Sequence, residues 1–302
     1  MCSFSIIIPA YNVEKFFTDC LSSVHAQSFF DWEAIIIDDG STDQTANIAD
    51  EWTEKDARFQ VIHQSNQGPS SARNIALRHA QGNYVLFLDG DDTLKPYALE
   101  YLYEIISKHT PDIVAFSSEL WWWEESRTSA NEAFNPVSEW VFPNGQAYLD
   151  DFVKRRKWGP SAVCFYAWRR QLIKESGVVF PQGIFHEDDY FVPVMLLNAL
   201  NKVVTTLSVL YSYRMRSGSI VHAETPKHGY DLLTVASMLE NYFKTMNYKN
   251  NYANRLIFNL ALKGIGKLKQ NKMSIGVKQQ MVLWHHVSTL KDIVKGILLM
   301  LE

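Results

Sequence analysis

Residues 84–92 have the sequence YVLFLDGDD, in which five apolar or aromatic residues run directly into an acidic turn. An apolar run this short, bounded by turn residues, predicts a strand that is buried on both faces, as in a parallel sheet. The acids would then lie at the carboxyl end of that strand, where ligands bind in open α/β sheets. Carboxylate oxygens with room for water and phosphate suit Mg²⁺ or Mn²⁺. An acidic turn that only closes a core strand explains the same residues, so this stretch alone leaves both interpretations open.

Strands and helices alternate on both sides of this stretch. Buried strands are predicted at 3–9, 33–39, 59–63 and 112–117, and helices at 13–26, 70–80 and 96–108. A further helix is predicted to begin at Ser41, because Gln44 follows at capping-box spacing. Such alternation with short connections predicts an α/β fold: a mostly parallel central sheet with helices on both faces. Gly90 is expected to turn the backbone sharply, so that Asp89 and Asp91 approach one point.

The pattern changes after Glu119. The Trp-rich segment 121–135 is expected to be a long excursion. Its residues Trp121–Trp123 either stack on the rings of a ligand, or pack in the core or against the C-terminal helices. Helices are predicted at 146–157, 169–176 and 187–200, and strands at 162–168 and 203–213. From Pro226 onward about three helices are predicted, broken near 247–251 and 271–274. We therefore expect one large domain over 1–222 and a helical extension over 223–302.

Composition and length bound the class of protein. The 302 residues are 47% hydrophobic and 13% aromatic, which excludes a disordered chain. The three cysteines, Cys2, Cys20 and Cys164, are far apart without metal-ligand spacing, so reduced thiols in a cytoplasmic protein are expected. No basic leader precedes the first strand and no apolar stretch approaches the roughly 18–20 residues that cross a bilayer. Neither a signal peptide nor a transmembrane helix is predicted.

The C-terminal region differs in charge from the rest of the chain. Residues 244–302 contain ten Lys or Arg and two acids, although the whole chain has a net charge of −4. A basic region on an acidic body fits an anionic surface such as a membrane, and it fits a solvated helical face equally. Apolar residues of 287–301 share one helical side, which predicts a helix docked on the body, a dimer contact or an interfacial membrane anchor.

Two further polar segments follow predicted strands. In DDGSTD (38–43) a carboxylate can accept hydrogen bonds from a base such as uracil or hold the loop, and Ser41 and Thr42 can cap a helix. In NQGPSSARN (66–74) a glycine precedes a helix N-terminus, which favours an anion. Arg73 could point its guanidinium at a nucleotide or at Asp39. The chain lacks a GxxxxGK[ST] loop and a GxGxxG turn after a strand, which argues against ATPase and NAD-binding classes.

Acidic and basic groups also occur late in the chain. Glu187, Asp188 and Asp189 open a helix; one of them could remove a proton from an attacking hydroxyl, or all three could serve only the helix dipole. The segment after the last strand, 214–222, contains Arg214, Arg216, two serines in 217–219 and a histidine at 222. Two arginines with hydroxyls suit a diphosphate, and they also suit a surface loop.

Taken together, these motifs resemble those of the family 2 glycosyltransferases, which have the GT-A fold. The resemblance rests on six segments in order, over about 3–220: SIIIPAYN, EAIIIDDGSTD, NQGPSSARN, YVLFLDGDD, HEDDYF and YRMRSGSI. It implies inverting transfer of a sugar from a nucleotide donor, usually UDP-linked, with Mn²⁺ or Mg²⁺. No segment after about Pro226 takes part in it.

The resemblance also implies roles for individual residues. The metal would be held by Asp91 and Asp89, and the catalytic base would be Asp188, although the adjacent Asp189 leaves the choice of acid open. The donor site would be formed by a larger set: Pro9, Ala10, Tyr11, Asp39, Arg73, Asp89, Gly90, Glu187, Arg216 and Ser219. His222 lies next to this set.

The expected partners follow from the resemblance. They are a UDP-sugar donor and a glycan or lipid-linked glycan acceptor in cell-surface polysaccharide synthesis, without a nucleic acid. We expect a cytoplasmic protein, with contact at the inner face of the cell membrane or a homodimer among the roles open to the C-terminal helices. Two other classes stay open: a non-catalytic glycan- or membrane-binding module that keeps the fold, and a nucleotidyltransferase. The latter would need a glycine-rich basic loop after the first strand, which AYNVEK does not supply.

Overall fold

The computed structural model describes residues 2–156, 159–216, 225–271 and 273. These residues form two compact units. The first comprises the described residues up to 145 together with 162–183 and 198–216. The second comprises the other described residues.

Four parallel strands form one half of the sheet in the first unit. They are β1 (Phe4–Ala10), β2 (Trp32–Asp38), β3 (Phe59–His63) and β4 (Tyr84–Phe87), in the spatial order β3-β2-β1-β4. The helices that connect them are α1 (Glu14–His25), α2 (Thr45–Lys55) and α3 (Pro69–His79). Because β1, β2 and β4 are buried along nearly their whole length, their sequences are apolar runs instead of alternating patterns.

The order of these strands creates a switch point beside β1. The chain moves outward from β1 through β2 to β3 and then returns to β4 on the other side of β1. Crossovers between parallel strands are right-handed, so α1 and α2 cover one face of the sheet and α3 covers the other. At such a reversal the loops after the two central strands diverge and leave a crevice at the carboxyl ends of β1 and β4.

The other half of the sheet is mixed. Beyond β4 the order continues through β9 (Tyr166–Arg169), β6 (Ile113–Trp122), β10 (Val203–Met215) and β5 (Thr93–Leu94). β9 is antiparallel to both β4 and β6, whereas β6 and β10 are parallel. Two short strands, β7 (Arg127–Ala130) and β8 (Trp140–Phe142), pair with β6 and β10, and the helices of this half are α4 (Ala98–His109) and α6 (Arg170–Ser176). The predicted α/β fold class is confirmed, and the Trp-rich excursion is a β6–β7 hairpin.

The second unit is helical. It contains most of α5 (Gly145–Arg155) and α7 (Glu187–Asn198), together with α8 (Pro226–Thr245) and α9 (Asn251–Gln270). Helices α8 and α9 approach closely at two glycines, since a Cβ on Gly229 would lie 2.9 Å from the carbonyl oxygen of Gly264. Asn250 caps α9 by accepting hydrogen bonds from the backbone N–H of Tyr252 and Ala253.

The structure corrects one predicted helix and describes two of the three expected at the C-terminus. The helix expected to begin at Ser41 begins at Thr45, without a side-chain cap from Ser41, so the capping-box prediction is wrong. Of the three helices predicted after Pro226, two are α8 and α9, and the segment 287–301 lies outside the described residues. The domain boundary at 222 stays a prediction. Among the described residues, every helix is too short or too polar to cross a bilayer.

Candidate active site

The loops after β1 and β2 are held together by side-chain hydrogen bonds. The backbone N–H of Asn12 donates to Ser41 Oγ (3.1 Å), and Asn12 Oδ1 accepts from the N–H of Thr42 (2.8 Å). Asn12 has a left-handed backbone (φ 51°), which asparagine tolerates better than most residues. Ser41 is therefore used between the two loops and not as a cap of its own helix.

The same segment caps the neighbouring helix α1. The N–H of Val13 donates to Thr45 Oγ1 (2.9 Å), and the N–H of Glu14 donates to Asp43 Oδ2 (3.2 Å). In return, Glu14 Oε2 accepts from the N–H of Gln44 (2.9 Å). Because the first N–H groups of a helix have no partner within it, this exchange satisfies groups at the starts of both helices. It positions the loop that follows β1 against the loop that follows β2.

Both acids after β2 are buried and hold their own loops. Asp38 Oδ1 accepts from the N–H of Ser41 (3.1 Å), and its Oδ2 lies 3.0 Å from His63 Nδ1. The hydrogen bond to Asp38 raises the pKa of His63, and Asp50, 3.1 Å from His63 Nε2, acts in the same direction. Asp38 therefore ties the end of β2 to the end of β3.

Asp39 has more partners than Asp38. Its Oδ1 accepts from the Gln64 side chain (2.5 Å) and from the N–H of Gln67 (2.8 Å), and its Oδ2 accepts from the N–H of Gly68 (2.8 Å). These bonds fix the loop that leads into α3, as the loop-holding alternative predicts. A carboxylate has about four acceptor positions, so one position on Oδ2 remains. The contact of Asp39 with a nucleobase stays a prediction.

The end of β1 lies between the two acidic loops. The carbonyl of Ala10 accepts from the N–H of Asp39 (2.9 Å), and the side chain of Ala10 is buried. Tyr11 is exposed, and Pro9 precedes it at the end of the strand. Of the predicted donor-site residues, Pro9 and Ala10 thus end the strand at the switch point and Tyr11 follows it. Their contact with a nucleotide stays a prediction.

Gly90 is required for space and not for a left-handed turn. Its φ lies outside the left-handed region, in which the described glycines 40, 68, 177 and 183 fall. A Cβ at Gly90 would lie 3.2 Å from Val13 Cγ2 and 3.3 Å from the carbonyl oxygen of Pro9. The turn therefore packs directly against the end of β1. The chain does turn sharply here, since the N–H of Asp92 donates to the carbonyl oxygen of Asp89 (2.9 Å), but it does so without a left-handed φ at Gly90.

Two arginines bind the first two acids of the turn. Arg73, which is buried in α3, donates from Nη2 to Asp89 Oδ1 (2.9 Å). Its acidic partner is therefore Asp89 and not Asp39, the partner suggested by the sequence. Arg216 donates from Nε (2.9 Å) and lies 2.8 Å through Nη2 from the same oxygen of Asp91, Oδ2. Burial and the charge of Asp89 raise the pKa of Asp91, and Arg216 opposes that shift.

The third acid, Asp92, is a structural residue that the sequence analysis does not identify. It is buried, its Oδ2 accepts from Tyr211 Oη (2.6 Å), and its Oδ1 accepts from the N–H of Arg214 (2.7 Å). The N–H of Asp89 donates to the same Tyr211 hydroxyl (3.3 Å). Burial and the charges of Asp91 and Asp89 raise the pKa of Asp92 well above its usual value. The turn is thus anchored to β10, and no local pattern around Tyr211 signals this role.

The side chain of Arg214 bonds within the fold, at the acidic turn. Its side chain is fully buried, with Nε donating to the carbonyl oxygen of Asp91 (2.7 Å) and Nη2 bonding to Asp19 (3.1 Å). The guanidinium lies over the ring of Trp121, 4.1 Å from its centroid. The suggestion that both late arginines suit a diphosphate is therefore revised, because only Arg216 is partly exposed. Trp121 packs internally, which is one of the two alternatives for the Trp run.

A divalent cation fits the two acids that remain partly unused. Asp89 Oδ2 and Asp91 Oδ1 accept no hydrogen bond from another residue in the described part of the chain. Within that part, no cluster of three or more His, Cys, Asp or Glu could hold a metal by itself. Mg²⁺ is usually held by one or two carboxylates together with substrate phosphates and water, so the chemistry of this pair suits it, and cation binding by Asp89 and Asp91 stays a prediction.

The second unit contains the acidic start of α7. Asp189 lies 3.4 Å from His186 Nδ1, and His186 Nε2 lies 3.2 Å from His228 Nδ1. Although burial opposes it, the hydrogen bond to His186 and the charge of Lys263 hold the pKa of Asp189 below its usual value. Asp189 therefore has a local role in the helix start, whereas the roles of Glu187 and Asp188 stay predictions. Ser219 and His222 lie outside the described residues.

Comparison with known proteins identifies the family. Residues 5–177, more than half of the chain, match the model of glycosyl transferase family 2. The chain is similar to the glycosyltransferase EpsJ of Bacillus subtilis, itself uncharacterized, with 31% identity over 221 residues. That match covers 72% of this chain and 62% of EpsJ, so the chain spans less than two thirds of this relative.

Solved structures confirm the fold. TarS 1–349 of Staphylococcus aureus, in complex with UDP-GlcNAc, has a TM-score of 0.72 at 22% identity, covering 98% of this chain and 81% of that one. The Pyrobaculum calidifontis mannosyltransferase PcManGT, in complex with GDP-Man and Mn²⁺, has a TM-score of 0.59 at 16% identity, covering 100% and 81%. At these identities the likeness concerns the GT-A-like architecture. With the family model matched over most of the first unit, the chain belongs to glycosyl transferase family 2.

Proposed function

We propose that this protein transfers a sugar, with inversion, from a nucleotide-sugar donor to a hydroxyl group of a glycan or lipid-linked glycan, with Mn²⁺ or Mg²⁺ as cofactor. One observation carries the proposal. At the switch point of the sheet, Asp89 and Asp91 each keep one carboxylate oxygen that accepts no hydrogen bond from another described residue. Every other carboxylate oxygen of the five acids at 38, 39, 89, 91 and 92 is paired inside the fold.

The cation and the leaving group explain the arrangement of charges. Asp91, with Asp89, would hold the cation, which supplies positive charge to the diphosphate as it leaves. Arg216 is the one arginine of the three around the turn that is at the strand end and partly exposed, and we assign it to the diphosphate. Because a nucleoside diphosphate leaves without a proton, this chemistry needs no protein acid. A glycoside hydrolase would instead need two carboxyl groups on either side of the bond.

The remaining donor-site residues are assigned by position. Pro9, Ala10, Tyr11, Asp39 and Gly90 surround the switch point, and we assign them to the nucleoside. Arg73 supports this region through Asp89. Glu187 and Ser219 keep the donor-site roles that the family motifs imply.

The catalytic base is assigned to Asp188. Asp189 is already paired with His186, and its lowered pKa makes it a weaker proton acceptor. Asp188 occupies the preceding position in the first turn of α7 and would take the proton from the acceptor hydroxyl.

The named ligands of similar proteins support the substrate classes. TarS was solved with UDP-GlcNAc and is named a poly(ribitol-phosphate) beta-N-acetylglucosaminyltransferase, which supports a UDP-linked donor and a surface-glycan acceptor. PcManGT was solved with GDP-Man and Mn²⁺, which supports the cation. We place the reaction at the cytoplasmic side of the cell membrane, with the helices after 223 serving packing, dimerisation or peripheral membrane contact.

The donor is tested by a thermal-shift panel with the full chain. UDP-GlcNAc, UDP-glucose, UDP-galactose and GDP-mannose are compared with and without Mn²⁺. We expect at least one UDP-sugar to raise the melting temperature only when Mn²⁺ is present, because the diphosphate and the two acids would share the cation. If no nucleotide-sugar shifts the melting temperature at millimolar concentration, the proposed function is wrong.

The base is tested by paired substitutions in α7. Asp188→Asn should lower donor turnover by a factor of about 100 to 10,000 while leaving UDP affinity nearly unchanged, because only proton removal is lost. Asp189→Asn makes the same chemical change one position away, and we expect it to lower stability more than turnover per folded molecule. Wild-type turnover in Asp188→Asn contradicts the assignment. Donor binding without turnover in the wild type, with a range of acceptors, favours the non-catalytic module.

A further inference from the structure

The two acids that would hold the cation are each paired with an arginine, and the two pairs differ. Arg73 binds Asp89 through one nitrogen, and its side chain is only 6% exposed. Arg216 approaches a single oxygen of Asp91 with two nitrogens, at 2.8 and 2.9 Å, and its side chain is 22% exposed. Arg73 is fixed within a helix, whereas Arg216 follows the last residue of β10. Arg216 therefore has more freedom to leave its partner.

Arg216 now occupies Oδ2 of the carboxylate whose other oxygen, Oδ1, the cation would use. Its guanidinium also lies 5.1 Å from the ring of Phe16, a contact that stabilises the side chain in this position. A divalent cation that approaches Asp91 would meet a full positive charge within hydrogen-bond distance of the same carboxylate. Since like charges repel strongly at such distances, the cation and Arg216 cannot both bind Asp91 at full strength.

A diphosphate changes this competition. Its oxygens offer Arg216 a second anionic partner, and guanidinium groups bind phosphate at least as readily as carboxylate. Arg214 cannot bind the diphosphate in this way, because it is buried and bonded to the Asp91 carbonyl and to Asp19. Arg73 is buried as well and is held at Asp89.

We propose that Arg216 is a latch on Asp91: it weakens cation binding at this carboxylate until a nucleoside diphosphate arrives, and then moves from Asp91 to the diphosphate as the cation binds. The latch rests on the proposed function for the identity of the diphosphate. It makes cation and nucleotide binding mutually reinforcing beyond their direct contact, because each releases a partner that the other needs. By thermodynamic linkage the two ligands must raise each other's affinity by the same factor.

The latch is tested by measuring Mn²⁺ affinity with and without UDP. Electron paramagnetic resonance reports free Mn²⁺ directly, so no acceptor or turnover is needed. The quantity compared is the coupling ratio, the Kd for Mn²⁺ without UDP divided by the Kd with saturating UDP. In Arg216→Gln we expect Mn²⁺ alone to bind at least fivefold more tightly than in the wild type. We also expect the coupling ratio to fall at least fivefold, since UDP no longer has a latch to release.

Two further variants separate a latch from a general effect of charge. Arg216→Lys keeps the positive charge but can approach Asp91 with one nitrogen instead of two. We expect its coupling ratio to lie between those of the wild type and Arg216→Gln. Arg73→Gln removes the same charge beside Asp89, and we expect it to change both Mn²⁺ affinities in parallel. Circular dichroism and melting temperature establish that each variant is folded.

The outcomes distinguish the latch from the proposed function. A coupling ratio in Arg216→Gln within twofold of the wild type overturns the latch, even if both affinities rise, while synergistic Mn²⁺ and UDP binding in the wild type leaves the proposed function standing. A wild-type protein that binds neither UDP nor Mn²⁺ contradicts both.

Discussion

The acidic loop after β2 and the acidic loop after β4 flank the same strand, β1, and have similar sequences, yet their carboxylates are in different states. In the first loop, all four oxygens of Asp38 and Asp39 accept hydrogen bonds from neighbouring loops. In the second, Asp92 is used in the same way, whereas Asp89 and Asp91 each pair through one oxygen and keep the other. Residue type and strand position therefore do not distinguish an acid whose oxygens are all paired within the fold from one that keeps an oxygen unused. The hydrogen bonds supplied by the rest of the fold make that distinction.

The largest effect on turnover is expected at Asp91, which keeps one carboxylate oxygen unpaired within the described residues. Asp91→Asn should lower donor turnover about 100-fold or more, because the cation loses its charged partner at the developing diphosphate charge. Its melting temperature should stay close to wild type, since the change also removes a carboxylate that burial and Asp89 disfavour. Turnover with UDP-sugar and a thermal melt check both parts. Near-normal turnover in Asp91→Asn would contradict the proposed difference between the acids of the two loops.

The next effect concerns stability. Asp39→Asn should lower the free energy of unfolding by about 2–4 kcal/mol, because three hydrogen bonds to a buried carboxylate are weakened or broken. Asp50→Asn is the matched control, since that side chain is 55% exposed and its hydrogen bond within the described part of the chain is to the partly exposed His63. Denaturant unfolding measures both. If the two variants unfold alike, Asp39 does not hold its loop as described.

A smaller effect follows from the raised pKa of Asp92. A carboxyl whose folded pKa lies above its unfolded value makes the protein lose stability as the pH rises from about 4 through the folded pKa. Asp92→Asn removes that titration but also one good acceptor for Tyr211 or Arg214. We therefore expect the variant to be less stable than wild type near pH 4, with the difference in melting temperature narrowing toward pH 7. A difference that widens over this range contradicts the assignment.

The smallest effect is expected at His63, which is partly exposed. Its folded pKa lies above the ordinary value of 6.5 because of Asp38, so its stabilising contribution is complete below pH 6.5 and is lost as the pH rises through the folded pKa. The melting temperature of His63→Gln should be lower than that of the wild type. The difference between the two should be largest at pH 5.5–6 and smallest above pH 8. A constant shortfall across this range would mean that His63 acts by packing alone.

The parallel half of the fold was predictable from local patterns. The strands at 4–10, 32–38, 59–63 and 84–87 are short apolar runs separated by amphipathic helices, and their predicted bounds agree with the structure within one or two residues. The short strands β5, β7 and β8 were not predicted, since two to four residues carry no periodicity and these strands exist only because a longer strand offers an edge.

The candidate site was predicted less completely. The resemblance named Asp89, Asp91 and Arg216, and the structure brings Asp91 and Arg216 together. The different surroundings of Arg214 and Arg216 could not be predicted from the sequence, because the two residues are only two positions apart. One is buried under the turn against Trp121, and the other reaches a carboxylate beyond the strand end. The support from Tyr211 was missed for the same reason, because its partner is 119 residues away in the chain.

Local pattern in the chain alone was enough to establish which segments become buried strands, where acids follow them, and that their carboxyl ends share one edge, because periodicity and turn residues act over a few positions. Only the tertiary structure decided which of those acids are already satisfied, which arginine is buried, and how closely the end of β1 packs against Gly90. Those outcomes depend on hydrogen bonds and packing between residues far apart in the chain, which no local pattern records.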